Sequence, residues 1–297
     1  MTVVLSRDHH IREALARNGV DCISSDQARH QDIRPLRIGI LNIMPRAEEY
    51  EFNLLLPLGR SILQIVPVWI RLTSHNYGST DQTHLHRYYI PFAEAVKEKI
   101  LDGLIVTGAP VEEIPYEEVH YWPEIQEILG YARTHICSTL GICWGGLALA
   151  KFVGIEKIQF TQKLFGLFRT RNLEPNHPIT GGLDDEFWCP QSRHAGISDK
   201  ALETEARKGH ITLLAKSDEG GYPIFETSDH RFVMHLGHHE YNSQRLVFEA
   251  RRDAQAGRKD VGPPKDFDLV NPLNTWRANR NEFFSAWIRH IYLNTKY

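Results

Sequence analysis

Two short stretches of the chain combine residue types and spacings that could do chemistry. The first is Gly141-Ile142-Cys143-Trp144-Gly145-Gly146, where an apolar run ends in a cysteine between glycines. It fits a tight strand-to-helix turn, G-x-nucleophile-x-G, with cysteine as the nucleophile. Such a turn crowds Cβ atoms together, so the flanking residues must be small. The motif predicts Cys143 at a helix N-terminus, where free N–H groups and the helix dipole favour a thiolate. The Trp144 N–H would then point toward an oxyanion. A buried structural cysteine in a glycine-containing turn, or a phosphate-binding turn, would give the same short motif. Cys137 reads as a core strand residue, and Cys22 and Cys189 as incidental.

The second stretch is Met234-His235-Leu236-Gly237-His238-His239-Glu240-Tyr241, at the end of an apolar run. On extended backbone His238 and Glu240 project to the same side, so the carboxylate could hold the imidazole in one tautomer. Nucleophile, base and orienting carboxylate together form the logic of a catalytic triad. The same cluster could be read as metal ligands, but alternation puts His235 and His239 on one side and His238 and Glu240 on the other. No helical HExxH spacing occurs, and His84 and His86 have no evident partner, so no metal site is expected. A purely structural, solvated histidine pair is the other competing reading. The cysteine motif in the same chain favours the catalytic one.

These residues need a frame, and the apolar runs supply one. Residues 36–43, 63–72, 103–106 and 136–142 read as strands, with Pro67 hinting at an edge or bulge in the second. Helical stretches over 48–58, 92–100, 123–135 and 144–153 alternate with them. Residues 164–169, 187–190, 211–215, 223–227 and 231–236 read as short strands in hairpins. Helices over 241–255 and 281–292, separated by a Gly/Pro/Lys/Asp loop at 257–265, close the chain. Alternating β and α units followed by hairpins predict an α/β fold, an open, mostly parallel sheet with antiparallel extensions. In such sheets ligands sit at the carboxyl ends of strands, where both motifs lie. Residues 1–34, polar and mixed with one helix at 10–18, read as an N-terminal arm before a single domain over 35–297.

Composition narrows the class. Hydrophobic residues at 42% and charged residues at 24% match an ordinary globular enzyme rather than a disordered or fibrous chain. A net charge of -3 without a basic block argues against a nucleic-acid surface. The apolar runs are far short of the ~20 residues of a membrane span. The first ten residues show no signal-peptide core, so a cytoplasmic location is expected. Four cysteines without a CxxC pair make neither a disulfide framework nor a zinc ribbon. Sixteen histidines are more than this length usually carries.

The combination of G-x-C-x-G and a later G-H-x-E resembles the class I glutamine amidotransferase fold. Within that superfamily the chain resembles the amidotransferase-like homoserine O-acyltransferases. Ile33-Arg34-Pro35-Leu36, Leu41-Asn42-Ile43-Met44-Pro45, the run Asp102 to Pro110, Tyr121-Trp122-Pro123, Gln162-Lys163-Leu164 and Pro190-Gln191-Ser192-Arg193 carry the likeness, from about residue 33 to the last helix. Leu147 stands where glutaminase domains place glutamine, and His239 replaces a proline of the acyltransferase motif.

The resemblance implies roles position by position. Cys143 would be the acyl-accepting nucleophile, His238 the base and Glu240 its orienting partner. Trp144 and the turn ending at Val111 would supply oxyanion-hole N–H groups. Lys163 and Ser192 match substrate-pocket positions, and Glu249 and Arg252 match contacts to the amino acid's ammonium and carboxylate. Without the family, Glu249 and Arg252 would read as a solvent-facing pair. Glu112 matches the position that separates acyl donors: glycine goes with succinyl, glutamate with acetyl, because a carboxylate there fills the pocket and repels the succinyl carboxylate. The expectation is therefore ping-pong acetyl transfer from acetyl-CoA, as co-substrate without a bound cofactor, to L-homoserine in methionine biosynthesis, by a homodimer. L-Serine as acceptor, succinyl-CoA as donor, a thiol amidohydrolase and a non-catalytic binding protein are the alternatives.

Overall fold

Leu36–Leu41, Gly103–Val106 and Ser138–Ile142 are short runs that are almost wholly buried, and each becomes a central strand of one twelve-stranded sheet. The computed structural model describes residues 2–31, 33–98 and 100–295. In chain order the elements are β1 (Thr2–Val4), α1 (Arg12–Arg17), β2 (Asp21–Ile23), α2 (Ser25–Arg29), β3 (Leu36–Leu41), α3 (Ala47–Leu58), β4 (Ile65–Arg71), α4 (Gln82–Tyr88), β5 (Ile90–Pro91), α5 (Phe92–Glu98) and β6 (Gly103–Val106). There follow α6 (Trp122–His135), β7 (Ser138–Ile142), α7 (Trp144–Phe152), β8 (Ile158–Asn172), β9 (Glu186–Gly196), α8 (Asp199–Arg207), β10 (Ile211–Ser217), β11 (Gly221–Thr227), β12 (Phe232–His235), α9 (Ser243–Gln255) and α10 (Arg277–Asn294). Lys99, inside the helix expected over 92–100, lies outside the described residues.

The sheet runs β2-β1-β4-β3-β6-β7-β12-β11-β10-β8-β9, with β5 beside β4. It is parallel from β2 to β12 and antiparallel from β12 to β9. This is the open, mostly parallel sheet with antiparallel extensions that the alternation of runs predicts. Successive residues alternate between two cores, as side chains on a strand must. Leu104 and Val106 face one core with α6 and α7, whereas Ile105 faces the other with α3 and α10. Pro67, which has no N–H to give, lies on β4 between two short partners: β1 pairs at Ile65 and β5 at Ile70.

The structure differs from the sequence reading in several regions, including helices α2 and α4, which stand where no helix is expected. Residues 2–23, within the N-terminal arm read over 1–34, add β1 and β2 to the edge of the same sheet, with Val3 opposite Ile65 and Leu15 and Val20 buried. Three-residue strands are too short for periodicity to reveal. The hairpin strands expected at 164–169 and 187–190 are the apolar middle of a longer ribbon, β8 with β9. Its first half projects past the core, so residues such as Gln159 and Gln162 are polar and exposed. Helix α8 was not expected, because Leu202 is the one residue it buries; its legible signal was the Ser198 cap, whose side chain accepts from Ala201 N–H.

Candidate active site

Parallel neighbours share a direction, so their carboxyl ends come out along one rim. β3, β6, β7 and β12 are consecutive in the sheet, and the turns after them meet there. The Thr107 hydroxyl accepts the Ile43 N–H at 2.8 Å and ties two of these turns together. Register places His235 opposite Ile142, which carries the loop holding His238 to the Cys143 turn across about one hundred residues of chain. A cavity of about 560 Å³ opens on this rim, lined by Cys143, His238, Glu112, Lys163, Ser192, Glu249 and Arg252 among others. The nucleophile and base of the sequence reading thus share one cavity with its substrate-pocket residues, and Glu240 meets His238 from outside that lining.

Cys143 sits at the start of α7 with φ 53° and ψ -114°, a left-handed conformation unusual for a residue with a side chain. The flanking glycines allow this: a Cβ on Gly145 would stand 2.1 Å from Val106 O, and one on Gly141 2.5 Å from Gly145 O. The strained turn is held by Cys143 N–H donating to His235 O at 2.8 Å and by Leu147 N–H donating to Cys143 O at 3.1 Å.

The thiol does not behave as the helix N-terminus alone suggests. Burial pushes its pKa well above the ordinary value, and the adjacent Glu112 carboxylate pushes the same way. Sγ donates to Glu112 Oε1 at 3.1 Å. Arg193 opposes this by charge. It is a buried guanidinium held by neutral acceptors, namely Gln191 Oε1, Ala195 O and Gly220 O at 2.8–2.9 Å. Desolvation and the Glu112 carboxylate together push the thiol pKa up, against the pull of the helix end. The Val111 N–H, expected in the oxyanion hole, donates to Ala109 O at 2.8 Å and so is already engaged in this conformation.

His238 Nδ1 lies 2.7 Å from Glu240 Oε1, and both residues are buried. The same carboxylate oxygen accepts from the Tyr50 hydroxyl on α3. The His238 ring stacks on Tyr241, centroids 4.1 Å apart. Two contacts on Glu240 and one ring face fix the imidazole plane, as a base must be fixed. His235 and His239 turn to the other side, as alternation predicts, and contact each other at 2.7 Å. Burial lowers the pKa of both rings, that of His235 to about 4.

The far wall comes mostly from α9. Glu249, which reads as solvent-facing without the family, is 3% exposed. It accepts from the Tyr241 hydroxyl at 2.7 Å and from the Ser192 hydroxyl. Burial alone would raise its pKa, but Lys163, Arg245 and other cations outweigh it and hold the carboxyl at about 2. Lys163 Nζ donates to Asp253 Oδ2 at 2.7 Å, and Arg252 reaches Asp253 Oδ1 through Nε and Nη2 at 2.8 and 2.7 Å. Arg252 remains half exposed at the cavity mouth, free to exchange that partner for a ligand carboxylate. Sequence reasoning missed Tyr50, Arg193, Tyr241 and Asp253. Arg193 and Tyr241 stood inside quoted motifs, but only the tertiary contacts give them roles.

Three comparisons bear on this geometry. Solved structures titled as glutamine amidotransferases, from Thermotoga maritima and Methylobacillus flagellatus, share the fold at TM-scores of 0.53 and 0.52. Each is 14% identical, covers 87% of this chain and is itself covered over 99% and 96% of its length. A curated homoserine O-acetyltransferase from a Ruegeria species is 38% identical over 100% of this chain and 96% of its own. One from Ruegeria pomeroyi is 40% identical over 96% and 92%. The sequence model of a family described as homoserine O-succinyltransferase matches residues 2–297. With a match along all but the first residue and relatives nearly coextensive with it, this chain is an enzyme of the homoserine O-succinyltransferase family.

Proposed function

We propose that the enzyme transfers an acetyl group from acetyl-CoA to the hydroxyl of L-homoserine through a Cys143 thioester. The observation that carries the acetyl reading is the Glu112 carboxylate, 3.1 Å from the nucleophilic sulfur. Its other oxygen accepts the His194 N–H at 2.5 Å, and its main-chain oxygen accepts from Lys157 Nζ and Gln159 Nε2, so the residue is fixed in place. An acyl group ending in its own carboxylate would bring two like charges together beside the thioester. An acetyl group brings none. The family description names succinyl, whereas the curated relatives carry the name acetyltransferase. The charge at residue 112 favours the second.

In this reading His238 takes the thiol proton as Sγ attacks the thioester carbonyl. The Trp144 N–H at the start of α7 stabilises the tetrahedral oxyanion. CoA departs with the proton from His238, leaving an acetyl-S-enzyme. Glu249 and Arg252 hold the ammonium and carboxylate of homoserine, and Lys163 and Ser192 steady Glu249 and Asp253. His238 then takes the hydroxyl proton, the oxygen attacks the thioester, and the proton returns to Sγ as O-acetyl-L-homoserine leaves. The setting proposed is methionine biosynthesis in the cytoplasm, by a homodimer of a single catalytic domain. Four free cysteines accord with a reducing compartment.

Steady-state turnover with acetyl-CoA or succinyl-CoA, each against L-homoserine and L-serine, tests the assignment. The expected result is turnover with acetyl-CoA and homoserine, an acetyl adduct on Cys143 by mass spectrometry, and neither in Cys143→Ala. Preference for succinyl-CoA overturns the argument from Glu112. Preference for serine moves the acceptor by one methylene, a difference of only ~1–3 kcal/mol in a pocket.

A further inference from the structure

Outside the cavity lining, the N-terminal segment brings His9 and His10 against Glu51 of α3 and His84 of α4. Glu51 is wholly buried, and its two oxygens are treated differently. Oε1 accepts from the Tyr89 hydroxyl at 2.8 Å and contacts His84 Nε2 at 2.7 Å. Tyr89 is held in turn by Asn42 Nδ2 at 2.9 Å. Among the described residues Oε2 has no hydrogen-bond partner, and neither has the buried His9 Nε2 that faces it. The two atoms stand 3.7 Å apart, with His10 Nε2 3.8 Å from the same oxygen. Leaving a buried carboxylate oxygen unpaired is costly, and nearby nitrogens at hydrogen-bond distance would have removed that cost.

The spacing is too long for hydrogen bonds but suits ligands that share an ion. Two ligand atoms each ~2.0–2.2 Å from a tetrahedral centre stand roughly 3.3–3.6 Å apart. The donor atoms of His9, His10 and Glu51 all lie within 4.8 Å of one another. We propose that His9 Nε2, His10 Nε2 and Glu51 Oε2 bind a divalent transition-metal ion of the zinc class, with His84 and Tyr89 orienting the carboxylate through Oε1. Imidazole and carboxylate donors suit such an ion, and hydrogen bonds to the non-ligating oxygen are the usual second-shell device. The contact from Ile11 N–H to His9 Nδ1 is 3.5 Å, too long to fix the opposite tautomer. His10, 47% exposed, leaves a path for entry and a fourth position for water. The ion would clamp the N-terminal segment onto α3, which also carries Tyr50 toward Glu240.

The test uses full-length protein stripped with a chelator and titrated with Zn²⁺, read by calorimetry and by the thermal midpoint. The expected result is one equivalent bound with a raised midpoint, affinity at least tenfold weaker in His10→Ala, and loss of the response in His9→Ala/His10→Ala. Cys143→Ala should bind as the wild type does. Absence of stoichiometric binding overturns the proposal, as does binding undiminished in His10→Ala or abolished only in Cys143→Ala. His10 is a surface residue, so its variant keeps the test decisive should the double variant fail to fold, as circular dichroism would report.

Discussion

The Cys143 thiol shows how two rules about the same residue compete. A helix N-terminus stabilises a thiolate by a fraction of a charge within the first turn. Burial removes the whole thiolate from water, and Glu112 adds a full negative charge beside it. The larger effects win. Replacing Glu112 by Gln removes the charge but not the burial, so the thiol should become more acidic while staying above its ordinary value. Iodoacetamide inactivation should then run several-fold faster in Glu112→Gln near neutrality, with its midpoint at lower pH than in the wild type. An unchanged pH profile would mean that the carboxylate does not govern the thiol.

At the scale of the element, α9 is the most densely used part of the site. Its sequence SQRLVFEARRDAQ turns Leu246, Val247, Glu249 and Asp253 inward together, so one face is half apolar and half charged. Such a face is stable only because Glu249 meets Lys163 and Arg245 in the folded chain. Its folded pKa is about 2 against 4.5 unfolded, a difference on the order of 3 kcal/mol of stability. Because the folded value is depressed, this contribution is complete above pH 4.5 and is lost as pH falls toward 2. Glu249→Gln should therefore be less stable than the wild type at pH 7 by a similar order, the gap narrowing as pH is lowered toward 3. Urea unfolding at both pH values measures it. A gap independent of pH would mean that packing, not charge, was lost.

For the whole molecule, the antiparallel extension and the loop after α9 complete what the parallel half begins. Residues 260–265 run beside β8: Asp260 O accepts from Lys163 N–H, and Phe165 and Leu167 exchange main-chain bonds with Lys265 at 2.8–2.9 Å. Gly166 makes this approach possible, with φ 125° and a hypothetical Cβ only 2.2 Å from Lys265 N. Both a forbidden conformation and a clash with backbone await any side chain there. Gly166→Ala should lower stability by about 2 kcal/mol or more. Because Lys163, whose N–H donates to Asp260 O, and Arg258, a loop residue lining the cavity, would shift with the loop, KM should rise more than kcat falls. Equal effects on both constants would separate this loop from substrate binding.

The sequence by itself determined the elements with strong periodicity and the local pieces of chemistry. The buried strands β3, β6 and β7, the glycine-flanked Cys143 and the His238–Glu240 pair are all local facts, settled by side-chain size and two-residue alternation. It did not reveal β1 and β2, which are too short, or α8, which has one buried residue. Nor did it show the projecting half of β8, which has no core to pattern against. Above all it could not say how groups far apart in sequence influence one another. Glu112 beside Cys143, Tyr50 on Glu240, Glu249 buried among cations, and His84 with His9 and His10 around Glu51 each depend on strand order and on water being excluded. Tertiary structure decides these because pKa and ligation depend on distance and desolvation, and neither is a property of spacing along the chain.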